Sequence, residues 1–293
     1  MNIALVTYQD KGAYDSQTVE SEDDRLLTFL KAKRLNIELV IWNDPEVNWE
    51  NYQLAILKSP WDYFDLVDDF HTWLNHLEDK KVRLLNPIDT VRWNMDKTYL
   101  KEIEEVGLST TPGIYLDKNT VVKLADFFQI FKTKKLIVKP CISGGAKNTF
   151  KVTEDNVMEI NETLNRLIQN ENFIVQPFLQ EIVDNGEWSF IFFNGLYSHS
   201  LIKKAKTGDF RVQPSHGGSV YPQNPEEALI AIAAAYVKRF AKNCLYARVD
   251  GTFVSGKFLL MELELIEPFL FLNTDPQNYE RYYQALKELM QLN

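Results

Sequence analysis

The sequence predicts an α/β (α+β) chain in three parts: an N-terminal domain on a parallel sheet, a small α+β unit, and a C-terminal domain on a mixed or antiparallel sheet. Three observations predict it. Strand-like and helix-like segments alternate through the first part, which implies a parallel sheet covered by helices. Two turn signals in the last part, Asn194-Gly195 and Gly256, each separate long strand-like runs. The length of 293 residues is more than one ordinary core holds.

In order, "NIALVTY" reads as a strand, "DDRLLTFLKAKRL" as an amphipathic helix, and "IELVIWN" and "YQLAILKSP" as strands. "FDLVDDFHTWLNHLEDKK" has helical spacing, and "VRLLNP" closes the first part as a short strand. No G-x-G-x-x-G follows the first strand, so nothing supports a dinucleotide site there. The helix "MDKTYLKEIEEVG" ends at Gly107. The small unit follows: strand "TTPGIYL", helix "TVVKLADFFQIFK", strand "KLIVKP", loop "CISGGAKN", strand "TFKV", helix "VMEINETLNRLIQ" and strand "FIVQPFL". The last part has the hairpin "EWSFIFFNG"/"LYSHSLIKKAK", a helix through "EEALIAIAAAYVKRFAK", the hairpin "YARVDGTFV"/"KFLLMELELI", and a C-terminal helix "YERYYQALKELMQ".

Composition narrows the function. At 45% hydrophobic and 25% charged, the chain reads as soluble and globular. Its net charge of −9 argues against a general nucleic-acid surface but leaves room for an anion at a local basic site. Two separated cysteines, Cys141 and Cys244, make neither a disulfide framework nor a zinc site. The N-terminus reads as a strand rather than a signal peptide, and "ALIAIAAAYV" is about half a membrane span. The expected compartment is the reduced cytoplasm, with no membrane partner.

The chemistry lies in three segments. "KFLLMELELIEPFLF" places Glu262, Glu264 and Glu267 in an apolar run. Removing a lone carboxylate from water costs several kcal/mol unless a cation or hydrogen bonds compensate. Glu262 and Glu264 share one face of a strand, whereas Glu267 has the opposite parity and precedes Pro268, past the expected strand end. Asp250 lies on the partner strand of that hairpin. Three converging carboxylates suit magnesium with substrate phosphates; they also suit structural ion pairs with Lys203, Lys204, Arg211 or Arg248. In "LIVKPCISGGAKNTFKV", Lys139 ends a strand before Gly144-Gly145, and paired glycines let backbone amides approach an anion. An exposed hairpin loop is the alternative. Arg211, in "LIKKAKTGDFRVQPSHGG", could grip phosphate or carboxylate or be simply solvated. His71 and His76 read as surface residues, His199 and His216 lack ligand spacing, and His216 is near enough to Arg211 to touch a substrate. The six tryptophans, Trp61 among them, read as core or groove residues.

The order of these pieces resembles the ATP-grasp superfamily over almost the full length. "NMDKTYLKEIEEVGLSTTPG", "LIVKPCISGGAKNTFKV" with "FIVQPFL", and "RVDGTFVSGKFLLMELELIEP" carry the resemblance to glutathione-synthetase-like members. "SPWDYF", "NPIDTVRWNMDKTYL" and "ELELIEP" look like the subgroup that includes the cycloserine-forming enzyme of antibiotic biosynthesis. The resemblance implies domains at 1–92 (pre-ATP-grasp), 93–177 (helix and lid with flap) and 178–293 (metal site). It implies ATP phosphates at Lys97 and Lys139, and a flap at Ser143, Gly144 and Gly145. It implies an adenine hinge at Gln176, Pro177 and Phe178, and a ribose-side acid at Glu187. Arg211 would be catalytic, and Asp250, Glu262 and Glu264 would hold one or two magnesium ions, with manganese able to substitute. Lys58, Trp61, Asp62, His216 and Gly217 are the substrate-side candidates. Three departures stand out: Glu264 replaces the usual Asn, the flap "SGGAKN" is less glycine-rich than the usual form, and Lys58 replaces an Arg.

The implied reaction is ATP-dependent activation of a small carboxylate as an acyl phosphate, attacked by an amine or another nucleophile, intramolecular closure included. A catalytically silent nucleotide-binding protein and a small-molecule kinase are the alternatives on this fold. The expected partner is a small molecule with a carboxylate or amine. A homodimer is an option, since members of the family are often dimers or tetramers.

Overall fold

The computed structural model describes residues 1–9, 17–213 and 217–291. Strands β1 (Asn2–Thr7), β2 (Asn36–Ile41), β3 (Leu54–Ser59) and β4 (Arg83–Leu85) form a parallel sheet in the order β2-β1-β3-β4. The inner strands β1 and β3 are near-continuous apolar runs because both of their faces are covered. Ile3, Leu5, Leu54 and Ile56 enter one core with Leu26 and Leu30 of helix α1 (Gln17–Ala32). The alternate residues Ala4, Val6, Ala55 and Leu57 enter another with Phe70, Trp73, Leu74 and Leu77 of α2 (Val67–Asp79). The period of two along each strand sorts the side chains between these layers.

Helices α3 (Ile88–Asn94) and α4 (Tyr99–Glu105) lead out of this layer. Gly107, at φ +83°, takes the left-handed conformation that ends α4. The second sheet is antiparallel: β5 (Ile114–Leu116), β6 (Lys135–Pro140), β7 (Phe150–Thr153) and β8 (Phe173–Pro177), ordered β5-β8-β6-β7. Helices α5 (Leu124–Ile130) and α6 (Val157–Leu167) cover it through a core of Leu124, Leu136, Val138, Leu164 and Val175.

After the short α7 (Gln180–Asn185), the third sheet is antiparallel, not mixed: β9 (Glu187–Phe193), β10 (Leu196–Lys204), β11 (Ser219–Gln223), β12 (Tyr246–Val254) and β13 (Lys257–Glu264). The order is β11-β10-β9-β12-β13, with α8 (Glu227–Phe240) packed on the core around Phe190, Tyr236 and Leu260. Helix α9 (Pro276–Gln291) returns to the first layer, where Tyr282 and Leu286 join Leu26 and Leu30.

Asparagines pin the first layer to the third sheet. The fully buried Asn86 donates to Tyr246 O (2.9 Å) and Leu265 O (2.7 Å) and accepts from Leu245 N (2.7 Å). Asn94 donates to Leu263 O (2.8 Å) and accepts from Leu265 N (3.0 Å), and Tyr99 Oη accepts from Leu263 N (2.9 Å). These bonds fix the end of β13, the strand that carries Glu262 and Glu264.

Among the described residues, no helix is long and apolar enough to cross a membrane. Cys141 and Cys244 are free and buried.

Candidate active site

A cleft of about 250 Å³ opens where the three sheets meet. Its floor is the β12/β13 hairpin, whose register pairs Asp250 with Glu262 and Arg248 with Glu264. Lys139 and Lys97 reach in from the end of β6 and the turn before α4, and the 143–146 loop forms the roof.

Lys97 is buried and close to Glu262 Oε1 (3.2 Å), and Lys139 stands 3.7 Å from the same oxygen. Burial opposes charge on both sides of this cluster. The Glu262 carboxylate outweighs it at Lys97 and holds that ammonium above its ordinary value; the two lysines hold Glu262 below the usual carboxylate range. Lys97 also donates to Ser143 O (2.8 Å), tying the flap to the lysine beneath it. Gly144 packs on the Phe64 ring so closely that a Cβ there would stand 2.4 Å from Phe64 Cε1. Lys147 pairs with Asp65 of the short turn Tyr63–Asp65, so the flap is fastened to the first layer.

A second charge cluster lies deeper. Asp250 accepts from Ser189 Oγ (2.6 Å), Lys203 Nζ (2.8 Å) and the Arg248 guanidinium (2.8–3.1 Å). Burial opposes its charge, but Arg248 and Lys203 outweigh it and hold Asp250 well below the usual range. Lys203 also meets Glu187 at 2.6 Å, and Arg248 pairs with Glu264. Burial pushes Glu264 and Glu187 up against these cations. Both readings of the acids therefore meet in one place: structural ion pairs with Lys203 and Arg248, on the floor of a cleft.

Gln176, Pro177, Phe178 and Glu187 line the opposite wall. Gln176 donates to Thr111 O (3.3 Å), and Phe178 lies under the ammonium groups of Lys135 and Lys151. Arg211 also lines the cleft but is turned to Asp209 (2.8 Å) and is partly exposed.

The substrate-side candidates divide. Trp61 lines the cleft and donates from Nε1 to Glu267 O (3.2 Å). Lys58 does not line it: the side chain is buried between Glu22 and Asp23, 3.1 Å from each. Asp62 accepts from Trp42 Nε1 (2.6 Å) and serves the core of the first layer rather than the cleft. Gly217 lies beside Lys206, outside the cleft lining, and His216 lies outside the described residues. His199, read without a role, is buried and bonded to Ser198 Oγ and Leu270 O, and burial lowers it to about 4.

Arg248, Lys203, Tyr63 and Glu267 also line the cleft, none of them singled out in the sequence as a ligand-binding residue. The first two were legible only as partners for the acids. Glu267 was set aside by its parity, but the backbone bends at Ile266 and Glu267 and returns the side chain to the cleft.

The oxygen donors accord with a hard cation only in part. Among the described residues no group of three or more His, Cys, Asp or Glu side chains is arranged to hold a metal. Glu262 and Glu264 keep 30% and 22% of their side-chain surface open despite their lysine and arginine partners, which leaves oxygens able to meet a divalent cation. Asp250 would first have to give up Lys203 or Arg248.

Comparison with known proteins agrees with this architecture. Residues 3–86 match the family model "D-cycloserine synthetase DcsG, N-terminal domain", and residues 110–261, just over half of the chain, match "Prokaryotic glutathione synthetase, ATP-grasp domain". The cycloserine biosynthesis protein DcsG of Streptomyces lavendulae is 24% identical over 287 residues, 90% of this chain and 92% of that protein. The crystal structure of D-cycloserine synthetase DcsG superposes with a TM-score of 0.84 at 24% identity, covering 99% of this chain and 100% of that one. D-alanine–D-alanine ligase from Bacillus anthracis, complexed with ATP, gives 0.74 at 16% identity with both chains fully covered. The chain belongs to the ATP-grasp ligases, in the glutathione-synthetase-like, cycloserine-synthetase-like branch.

Proposed function

We propose that this protein is an ATP- and Mg2+-dependent ligase that activates a small carboxylate as an acyl phosphate for attack by an amine or an internal nucleophile. The carrying observation is the convergence of Lys97, Lys139 and Glu262 beneath the Ser143–Gly145 flap. Lys97 and Lys139 would hold phosphate oxygens, and the Gly144-Gly145 amides would close over them. Gln176, Pro177 and Phe178 would form the adenine wall, and Glu187 would meet the ribose. Glu262 and Glu264 would hold magnesium, which supplies charge neutralisation between the phosphates. Arg248 and Lys203, oriented by Asp250, would stabilise charge on the transferring phosphoryl group and its acceptor. Arg211 would join them only after leaving Asp209. The flap excludes water that would hydrolyse the acyl phosphate. We place the domains at 1–92, 93–177 and 178–293, with the cleft among them.

The test is phosphate release with ATP and magnesium against a panel of amino acids and small carboxylates, with product masses determined. Acid-dependent phosphate release with an amide or ring product supports the ligase. A stable phosphorylated product points to a kinase, and ATP binding without turnover to a silent nucleotide binder. Glu262→Gln is expected to cut turnover at least 100-fold while weakening ATP binding only a few-fold; unchanged turnover would overturn the metal assignment.

A further inference from the structure

Five carboxylates line the cleft: Glu187, Asp250, Glu262, Glu264 and Glu267. The first four each lie against a lysine or arginine. Among the described residues, Glu267 has no cation at ion-pair distance; Lys97 and Arg248, near enough to influence it, are turned to Glu262 and to Asp250 and Glu264. Its side chain lies within interacting range of the Tyr63 hydroxyl, and its backbone carbonyl accepts from Trp61 Nε1. Two segments far apart in sequence, "SPWDYF" and "ELELIEP", are thus built around this one carboxylate. The neighbouring cleft wall is aromatic, with Trp61, Phe269 and Phe271.

A carboxyl group beside one hydroxyl, with no cation at ion-pair distance, is short of positive charge. Burial accordingly pushes Glu267 up to about 7. A divalent cation would want several more oxygens than this corner offers. An ammonium group suits the corner better, since the carboxylate and the Tyr63 oxygen can both accept its hydrogen bonds. The cleft is therefore polar in a specific sense, with lysines and arginines toward the floor and flap and an uncompensated anion at the edge facing the first layer.

We propose that Glu267, held in place by the Trp61 bond to its backbone and facing Tyr63, receives the primary ammonium group of the small substrate. This rests on the ligase reading and deepens it. Two sources share the chemistry: the ammonium belongs either to the acid being activated or to a separate amine acceptor.

The test uses the full chain with free amino acids, simple primary amines and the matching N-acetyl amino acids. ADP release and, independently, thermal stabilisation in the presence of ATP analogue and magnesium are both read. Free amines are expected to stabilise the protein and support ADP release at least 10-fold more effectively than N-acetyl counterparts. ADP release with one amino acid alone places the ammonium on the activated acid; a requirement for a second amine places it on the acceptor. Glu267→Gln keeps the size and leaves an amide oxygen able to face Tyr63, and is expected to raise KM for the amine substrate about 30-fold with ATP affinity unchanged. Tyr63→Phe is expected to raise the same KM about 5-fold with kcat nearly constant, a split that a purely structural role would not give. The inference is overturned if N-acetyl or amine-free acids bind and turn over equally well, if no free amine stabilises the protein, or if Glu267→Gln weakens ATP instead. ADP release from amine-free acids would leave the ligase reading standing and remove only this one.

Discussion

The substitution Asn86→Asp tests whether the asparagine pins hold the β12/β13 floor in register with the first layer. It changes one NH2 to oxygen without changing size. The Oδ1 atom still accepts from Leu245 N, but Tyr246 O and Leu265 O, at 2.9 and 2.7 Å, lose their donor and face a carboxylate instead. Each buried carbonyl left unpaired costs about 1–3 kcal/mol, and Asn86 is fully buried, so water does not replace the donor. The expected loss at pH 8 is about 4 kcal/mol, or a melting temperature lower by about 8–12 °C for a chain of this size. The sign of the pH dependence is fixed. The introduced carboxyl has its folded pKa raised above its unfolded value, so the folded state binds the proton more tightly and stability returns as pH falls. Protonation restores one donor, and about 1–2 kcal/mol of the deficit is expected back at pH 5. Urea unfolding of both proteins at pH 5 and pH 8 reads this directly. A variant within 2 °C of the parent at pH 8, measured against the shift expected above, or a deficit equal at both pH values, would refute the pinning argument.

Gly144→Val is expected to lift the flap: a Cβ there would stand 2.4 Å from Phe64 Cε1, so ATP turnover should fall roughly 10-fold or more while the melting temperature stays nearly constant. In the ligand-free protein, Glu267 is raised from about 4.5 to about 7, so the folded state holds its proton longer and stability falls as pH rises through that window. Glu267→Gln should remove up to about 3 kcal/mol of that fall, read as a flatter unfolding midpoint between pH 5 and pH 8.

Much of the fold was legible because covered parallel strands and hairpins leave strong local patterns. β1 and β3 are continuous apolar runs, and Asn194-Gly195 and Gly256 mark the turns of the third sheet. The elements that escaped have local reasons. β11 carries Pro222, which reads as a break, yet as an edge strand it pairs on one side only and tolerates the missing donor. α7 spans a single turn and a half, too short for a periodic signal. α3 begins directly after Pro87, where the sequence shows a polar-rich motif instead of a long apolar stripe.

The site divides along a different line, between charge and direction. Acids in an apolar strand announce that a cation must be near, and Lys97, Lys139, Lys203 and Arg248 are those cations. Which carboxylate each lysine meets depends on residues far away in sequence, and no local pattern encodes that. Lys58 illustrates the failure: the resemblance made it a substrate-side candidate, but Glu22 and Asp23 on α1 draw it into the first layer. Glu267 illustrates the converse. Strand parity directed it away from Glu262 and Glu264, and parity holds only while the strand lasts. β13 ends at Glu264, the chain bends, and Trp61 bonds the Glu267 backbone carbonyl while Tyr63 faces its side chain. The residue that a sequence rule discarded is the one cleft carboxylate left without a cation among the described residues, which makes it the place where a substrate's own charge has most to contribute.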